Sequence, residues 1–543
     1  MQVNGQALRR SGRLDYKWVV AAVVILGVFM SILDQTIVNI AIPRLQTAFG
    51  ADIHLVQWVL TGYILTLGII TPTSAYFSER FGIKRYYIAS LAAFTIGSAL
   101  CGVAWSLPVL IFFRVLQGAG GAALFPLSLT LLFREFPPQE RGTAMGFFGI
   151  PTLLAPALGP TLGGYLVTYA DWQSIFFINV PIGIVAIILA TVFLHDAAPG
   201  PRTRFDFLGF FFVALGLGTF LYALSDASTD GWGSSIVLGC MAVGIISLII
   251  FTFVELNIIR HEGHPLLDLR VFANGPFRAS TIANVFVTFS LFGGIFLFPI
   301  YLQNIRSLSA FQAGLTLLPQ AIASMVAVLI GGRLVDRLGV RAVIIPGLLI
   351  LTVATWQLTF ITAYSPLSWL QIILVLRGLA LGLCVQPLIV ASLAEISPRL
   401  LAQASSMNTV TRSVSSSLGI AILATLVQSQ NLVHFAYLAE RVTATSPLGL
   451  LYPQLQALFV AHGATLSSAQ SDALQTIAGL LLQQSYVLAI QNAFSVTVVV
   501  CVLAIIAVLF VRGRRRPTRI EGNSARPGEN QDEEDSRPMV FAE

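Results

Sequence analysis

The sequence predicts an all-α protein that crosses a membrane many times. Of its 543 residues, 56% are hydrophobic and only 10% are charged, whereas about a quarter of the residues in soluble domains are charged. The apolar residues form continuous runs of about 20, the length of a bilayer-spanning helix. A membrane β-barrel would instead alternate apolar and polar residues. These observations exclude a water-soluble enzyme and a β-barrel.

The continuous apolar runs predict fourteen transmembrane helices. Glycine and proline occur inside them, as membrane helices tolerate. The predicted spans are 19–41, 55–77, 86–105, 107–132, 142–166, 174–195, 207–226, 235–256, 279–303, 311–332, 342–363, 367–393, 405–428 and 489–512.

The distribution of Lys and Arg gives the orientation of these spans. Of the 31 such residues, 25 fall in segments on the side of the N-terminus, three fall in loops on the other side and three lie within spans. The three within spans are Arg114, Arg377 and Arg412. Because positive charge accumulates in cytoplasmic loops, we expect a multi-pass protein of the cell membrane with both termini in the cytoplasm.

The spans divide the chain into five regions. They are a cytoplasmic N-terminal tail (1–18), a six-helix half (19–195), two inserted helices with linkers (196–278), a second six-helix half (279–512) and a cytoplasmic tail (513–543). The outer segment 429–488 carries amphipathic patches, which predict short helices on the membrane or protein surface, with a plain linker as the alternative. The tail begins with RGRRRP, which suits a lipid-facing anchor, and its acidic continuation predicts disorder.

A short motif occurs twice, in FSERFGIKR and in GRLVDRLGVR. Each copy lies between two spans and has an acid–Arg pair with a glycine three residues after the acid. The glycine permits the chain to reverse, and the acid can cap a helix N-terminus. The repeat predicts two related halves with a substrate held between them, and turns that only fix the topology are the alternative. The residues concerned are Glu79, Arg80, Gly82, Lys84, Arg85, Asp336, Arg337, Gly339 and Arg341.

Asp34 is the one acidic residue deep within a predicted span. A carboxylate there is costly unless it is paired, hydrated or protonated, so it is a functional candidate. It lies roughly 10 Å from the outer end of the first span, and Arg114 lies at a similar depth in the fourth. We expect an Asp34–Arg114 pair whose attraction a proton removes. A purely structural ion pair is the alternative.

Four further polar residues are candidates for a cavity wall. Ser31 shares a helical face with Asp34, and Gln117 shares one with Arg114. Arg377 and Arg412 have no deep acid in their own half. These two arginines could bind backbone carbonyls, contact lipid headgroups or present charge to a cavity, and the sequence does not decide among these roles.

The fifth span, GFFGIPTLLAPALGPTLGGYL, combines prolines with glycines. Each proline removes a backbone hydrogen bond and bends the helix, and glycines permit close packing. We expect a bent helix that acts as a gate, as a rigid contact between the halves, or as both. The residues concerned are Pro156, Gly159, Pro160, Gly163 and Gly164, with Pro151 preceding them.

Metal and cofactor chemistry has no support in the sequence. The four cysteines are isolated within apolar runs, and the six histidines fall at span ends or in loops. A membrane enzyme would need a cluster of acids, histidines or nucleophiles at membrane depth. We therefore expect no metal, no cofactor, no nucleic-acid partner and no enzymatic activity.

These motifs resemble those of the major facilitator superfamily, in particular its fourteen-span drug:proton antiporter family of the EmrB/QacA type. LDQTIVNIAIP is similar to the first-span signature, RVLQGAGGA to the fourth-span motif and ALGPTLGG to the fifth-span antiporter motif. SAYFSERFGIKR and GGRLVDRLGVR resemble the loop motif and its second copy, and DWQSIFFINVPIGI resembles a stretch of this group. Glu79 stands where the loop motif usually has Asp, and Ala155 where the antiporter motif usually has Gly.

The resemblance implies a fold, an activity and roles for residues. The fold would be two six-helix halves plus two inserted helices, rocking around a central cavity. The activity would be export of hydrophobic, often cationic compounds in exchange for protons, with Asp34 carrying the proton and Arg114 transferring it. A dedicated exporter of an endogenous lipid, antibiotic or metabolite is the alternative. The expected partners are a small-molecule substrate, protons and membrane lipids, and the need for a periplasmic adaptor is left open.

Overall fold

In the computed structural model of this chain, every regular element of the described residues is a helix. The described residues are 15–196, 204–227, 230–261, 263–443 and 445–510. The predicted tail at 513–543 and most of the one at 1–18 lie outside these ranges, as does part of the linker after the first half. The predicted all-α class is confirmed for the part of the chain that the structure describes.

The first half consists of nine α-helices and one short 3₁₀ helix (Thr71–Thr73) over residues 16–193. Two short helices, α3 and α8, continue the direction of a longer neighbour. The segments are α1 (Tyr16–Phe49), α2 (Ile53–Ile70), α3 (Ser74–Phe81), α4 (Ile83–Gly102), α5 (Leu107–Gly121), α6 (Leu124–Glu135), α7 (Arg141–Tyr169), α8 (Ser174–Phe177) and α9 (Asn179–Phe193).

The inserted pair and the second half follow. The inserted helices are α10 (Phe207–Asp226) and α11 (Ser235–Arg260). The second half contains α12 (Gly275–Ile300), α13 (Ala310–Leu338), α14 (Val340–Gln357), α15 (Leu367–Leu393), α16 (Leu401–Glu440), α17 (Pro447–Ala461) and α18 (Leu466–Leu509).

Twelve helices, counted over the described residues and with α2–α3, α5–α6 and α8–α9 each taken as one, are long and apolar enough to cross a membrane. The bent helix α7 makes a thirteenth if its two parts form one span. The remaining predicted span corresponds to α4, whose first turn carries Lys84 and Arg85 and is therefore less hydrophobic. The predicted count of fourteen stays a prediction.

The prediction for the outer segment 429–488 was wrong in most of its length. Helix α16 continues unbroken for 40 residues and α18 for 44 residues. At 1.5 Å per residue these helices are roughly 60 Å and 66 Å long, about twice the thickness of a bilayer core. Only α17 is a separate short helix, and none of its residues is buried. No glycine or proline interrupts residues 429–440, so α16 continues through them. The amphipathic patch LLYPQLQALFVAH lies in α17, where the predicted short surface helix is present.

The two copies of the repeated motif adopt the same backbone turn. Gly82 ends α3 with a φ of 87°, and Gly339 ends α13 with a φ of 88°. A positive φ is strained for residues with a side chain, so glycine is required at both reversals. Both turns lie at the same end of the helical bundle, which we call the turn face. The opposite end is called the far face.

The two halves are joined at the turn face. The carboxylate of Asp336 on α13 accepts hydrogen bonds from the backbone N–H groups of Gly142 and Thr143, both at 2.8 Å, and from the Thr143 hydroxyl at 2.6 Å. These N–H groups begin α7 and have no partner within that helix. The negative charge also favours the positive end of the α7 dipole. The predicted capping role of this acid is therefore realised on a helix of the other half.

Other contacts reinforce this closure. The Ser406 hydroxyl donates to the Thr71 carbonyl at 2.9 Å, and Glu79 interacts with the side chain of Gln403. The largest apolar cluster contains residues of both halves, including Phe148 and Leu393. Near the far face, in contrast, one apolar cluster consists of first-half residues and another of second-half residues. The halves therefore meet at the turn face.

Helix α7 is bent, as its prolines predict. Its parts Arg141–Pro156 and Thr161–Val167 meet at an angle of 43°. Gly159 packs against Thr36 of α1, and Gly163 packs against Ile37. A methyl group added at Gly164 would meet no atom of another helix within 4 Å, so the predicted packing role is wrong for this glycine. The side chain of Pro160 lies outside the described residues.

We expect Gly159→Ala to destabilise the protein and Gly164→Ala to leave it unchanged. The added methyl group at position 159 would collide with the Thr36 side chain, whereas the methyl group at 164 would meet open space. Overpacking of this kind costs about 1–3 kcal/mol. Thermal unfolding of both variants in detergent measures the difference, and equal melting temperatures would contradict the assigned packing.

We expect Asp336→Ala to open the turn face. Spin labels at the exposed positions Phe81 and Arg399 report the distance between the halves, measured by double electron–electron resonance. Loss of the Asp336 contacts to α7 adds a population at longer distances. The control is Asp196→Ala, since Asp196 is an exposed acid directly after the first half that pairs only loosely, at 3.6 Å, with Arg85 of that half. An unchanged distance distribution in Asp336→Ala would show that these contacts do not hold the halves together.

Candidate functional site

A buried ion pair lies in the first half. Arg114 Nη1 of α5 is 2.7 Å from Asp34 Oδ2 of α1, and neither side chain is exposed. The Asp34–Arg114 pair, which was predicted from the similar depth of the two residues in their spans, is therefore present. Because both charges are removed from water, each depends strongly on the other.

Two amides complete the surroundings of the Asp34 carboxylate. Gln117 Nε2 and Asn179 Nδ2 each donate to Asp34 Oδ1 at 2.9 Å. The Gln117 side-chain oxygen accepts in turn from Arg114 Nη1 at 2.7 Å. Both carboxylate oxygens are thus occupied by donors from α5 and α9.

Arg114 is held on its other sides by α2 and by aromatic rings. Its Nε donates to the Val59 carbonyl at 3.1 Å, and its guanidinium lies 4.1 Å from the centre of the Tyr63 ring. Its Nη2 has no hydrogen-bond partner within the described part of the chain. Protonation of Asp34 would leave this guanidinium without its counter-charge.

Asn179 is a functional candidate that the sequence analysis missed. It begins α9, and its Nδ2 also contacts the hydroxyl of Ser98 at 3.2 Å. The signal was present, because Asn179 is an amide within the apolar stretch IFFINVPIGI. A polar residue at that place is unusual enough to mark a contact with the buried acid.

A second buried acid was also missed. Glu255 on α11 is fully buried, and its Oε1 accepts from the N–H groups of Leu266 and Leu267 at 3.1 and 3.3 Å. It falls at the end of a predicted span, where an acid normally reaches water. The chain after α11 folds back over it, and this tertiary contact has no signature in the sequence.

A cavity of about 310 Å³ lies between the halves. Of the four predicted wall residues, Ser31 and Arg412 line it. Gln117 belongs instead to the ion-pair network, and Arg377 lies behind the wall. Asp34 does not line the cavity either, although its neighbours Ser31 and Gln35 on α1 do. The buried ion pair and the cavity are therefore adjacent but separate.

Arg377 and Arg412 have different surroundings. Arg377 Nη2 donates to the Ser290 carbonyl, and its guanidinium lies 5.3 Å from the centre of the Phe298 ring. Its Nε and Nη1 have no partner among the described residues. Arg412 faces the cavity with its guanidinium 4.7 Å from the centre of the Phe125 ring. Of the three roles considered for these arginines, a backbone contact holds for Arg377 and a cavity charge for Arg412.

The remaining motif residues of the turns lie on the turn face. Arg80 Nη1 is 2.9 Å from the Tyr76 hydroxyl, and Arg341 Nη2 donates to the Leu509 carbonyl at 3.0 Å. Lys84 lies in the first turn of α4, and Arg337 in the last turn of α13. These residues frame the closed face and do not reach the cavity. Within the described ranges, no group of three or more His, Cys, Asp or Glu side chains could hold a metal ion.

Two matched helical halves around a cavity, with a buried ion pair beside it, define a membrane transporter. The Major Facilitator Superfamily profile matches residues 24–420, and the chain belongs to this family. Members of this family are transporters rather than enzymes. The protein is therefore a multi-pass membrane transporter.

Relatives of the chain include proteins named for drug or antibiotic resistance. The chain is 33% identical to the multidrug resistance protein B homolog of Mycobacterium tuberculosis, over 79% of this chain and 80% of that one. It is 32% identical to the tetracenomycin C resistance and export protein of Streptomyces glaucescens, over 77% and 78% of the two chains. It is also 33% identical to the uncharacterized MFS-type transporter YhcA of Bacillus subtilis, over 91% and 92%.

A solved structure shares the fold. The proton:xylose symporter XylE superposes with a TM-score of 0.56, covering 92% of this chain and 96% of that one. The sequences are only 14% identical, so the likeness concerns the fold alone.

We expect Asp34→Asn and Arg114→Gln each to destabilise the protein by about 3–5 kcal/mol, because each leaves a buried charge unpaired or poorly paired. The double variant should lose less than the sum of the two. Thermal unfolding of the four proteins of this cycle in detergent provides the measurement. Additive losses would mean that the two side chains do not interact energetically.

Proposed function

We propose that this transporter exports small amphipathic compounds across the cell membrane in exchange for protons. The observation that carries the proposal is the fully buried Asp34–Arg114 pair beside a cavity between the halves. A titratable charge enclosed in this way responds to a proton with a large change in local energy. The cavity supplies the space for a cargo.

The coupling follows a continuous line of contacts. Asp34 lies on α1, which also contributes Ser31, Gln35 and Thr36 to the cavity wall. Thr36 packs against Gly159 of α7, and the other end of α7 is held by Asp336 of the second half. A proton on Asp34 frees Arg114 and permits α1 to move. The movement changes the cavity wall and, through α7, the contact between the halves.

The membrane potential supplies enough energy for this cycle. One elementary charge that crosses 100 mV contributes about 2.3 kcal/mol. A single proton per cycle at Asp34 can therefore drive an appreciable concentration gradient of the cargo.

We further propose that the turn face is cytoplasmic. The support is the distribution of Lys and Arg, of which 25 of 31 fall in the sequence segments that the predicted topology assigns to the side of the N-terminus. With α4 and α7 counted as spans, the chain has fourteen, and both termini are cytoplasmic. The structure then corresponds to a state that is closed towards the cytoplasm.

The transporter could export many unrelated compounds or one class of compound. The relative named as a multidrug resistance protein supports a broad range. The relative named as a tetracenomycin C resistance and export protein supports a dedicated exporter of an antibiotic or similar metabolite. Growth inhibition of cells with and without the transporter, across many compounds, separates the two. Protection against a single chemical scaffold favours the dedicated exporter.

We expect Asp34→Asn to abolish proton-driven transport. Inverted vesicles with an imposed pH gradient are loaded with a fluorescent cargo, and its movement is compared between wild type and variant. The control is Asp171→Asn, which changes an exposed acid near the far face. Proton-driven transport that persists in Asp34→Asn, at equal protein levels, would refute the coupling role.

A further inference from the structure

The charge of the central cavity is positive. Among the described residues that line it, Arg412 is the only charged one. The other polar lining groups are hydroxyls and amides, such as Thr409, Ser413 and Gln320. The Arg412 guanidinium contacts the ring of Phe125, and within the described part of the chain it has no acidic or hydrogen-bonding partner. The cavity therefore presents an unpaired cation to its contents.

A second arginine adds to this potential from behind the wall. The Arg377 guanidinium lies directly against Gly294, and both Gly294 and Phe298 line the cavity. Two of its nitrogens are unpaired among the described residues. Helix α12 carries no acidic residue, so this arginine has no counterpart to the Asp34 that neutralises Arg114. The second half contributes positive charge without compensation.

The positive charge is permanent, since a guanidinium does not lose its proton in proteins. An unpaired guanidinium in an apolar wall is energetically unfavourable. A carboxylate stabilises it by accepting two parallel hydrogen bonds. A cation in the same place would be repelled. Asp34 cannot attract such a cation, because both its oxygens are occupied and it does not reach the cavity.

We infer that the cavity binds amphipathic organic anions, with the carboxylate of the cargo paired to Arg412. The apolar body of the cargo packs against the rings of Phe125, Phe292 and Phe298, which line the same space. A volume of about 310 Å³ accommodates a small aromatic acid. This inference rests on the proposed function of the cavity as the cargo site, and it replaces the cationic cargo expected from family resemblance.

The charge of the cargo determines how transport responds to voltage. Outward movement of a monoanion in exchange for one inward proton transfers two positive charges inward. Exchange of a neutral cargo transfers one, and exchange of a monocation transfers none. Export of an anion is therefore accelerated most by a potential that is negative inside.

Binding of three matched compounds to the purified protein tests the inference without a proton gradient. The compounds are 2-naphthoate, 2-naphthamide and 2-naphthylmethylammonium, which share one apolar body and differ in charge. Isothermal titration calorimetry in a neutral detergent measures their affinities. We expect 2-naphthoate to bind roughly tenfold or more tightly than the amide, as a charge-assisted hydrogen bond provides, and the ammonium compound to bind most weakly.

Substitution of Arg412 tests whether this residue causes the preference for 2-naphthoate over 2-naphthamide. Arg412→Gln should reduce the affinity for 2-naphthoate to that for 2-naphthamide and leave the amide unchanged, which also shows that the cavity is intact. Arg412→Lys should keep part of the preference. The matched control is Arg441→Gln, because Arg441 follows α16 and also stacks on a ring, that of Tyr437 at 4.0 Å, but does not line the cavity. This control should leave all three affinities unchanged.

Three results overturn the inference. The first is tighter binding of the ammonium compound than of 2-naphthoate. The second is an equal loss of naphthoate and naphthamide binding in Arg412→Gln, which would make Arg412 structural. The third is absence of naphthoate binding by the wild type while its proton-driven export of other compounds persists. Proton-driven transport that persists in Asp34→Asn would instead refute the proposed coupling and leave the binding preference standing.

Discussion

The cost of charge in an apolar interior governs this structure. Asp34 and Arg114 are tolerated within the membrane helices because each neutralises the other, and because Gln117 and Asn179 satisfy the carboxylate. These contacts fix α1 relative to α5 and α9. Helix α1 in turn forms part of the cavity wall and supports the bend of α7 through Thr36. Under the proposed mechanism, a proton on Asp34 changes contacts that extend from the cavity to the boundary between the halves.

The two halves contain matching loop acids and membrane arginines, but these residues make different contacts in each half. Asp336 binds the beginning of α7, whereas Glu79 interacts with Gln403 near the beginning of α16. Arg114 has a partner acid, whereas Arg377 has a backbone carbonyl and two unpaired nitrogens. The first half therefore holds the acid of the buried ion pair, and the second half supplies the positive charge near the cavity. Under the proposed function, this division separates the proton from the cargo, and the two influence each other through helix movement rather than through competition for one carboxylate.

Much of the candidate site could be predicted from residue type and depth alone. An acid and an arginine at the same depth in the membrane each carry a large desolvation penalty unless they form a pair. The Asp34–Arg114 pair could therefore be predicted from the sequence. The burial of Glu255 and the contact of Asn179 with Asp34 could not be predicted, because they depend on which loops and helices fold over them. Close packing was predicted for three glycines of α7. The prediction was right for Gly159 and Gly163 and wrong for Gly164, because close approach depends on the rotation of α7 against α1.

The sequence by itself determined the helical class, most span positions and the two glycine turns, because hydropathy and positive φ are local properties of the chain. Only the tertiary structure decided that residues 429–440 and 466–488 extend the spanning helices, since an amphipathic pattern is the same in a separate helix and in a continued one. It also decided which buried charges face the cavity. Asp34 points into the first half and Arg412 into the space between the halves, and that difference arises from how the helices pack rather than from their order in the chain.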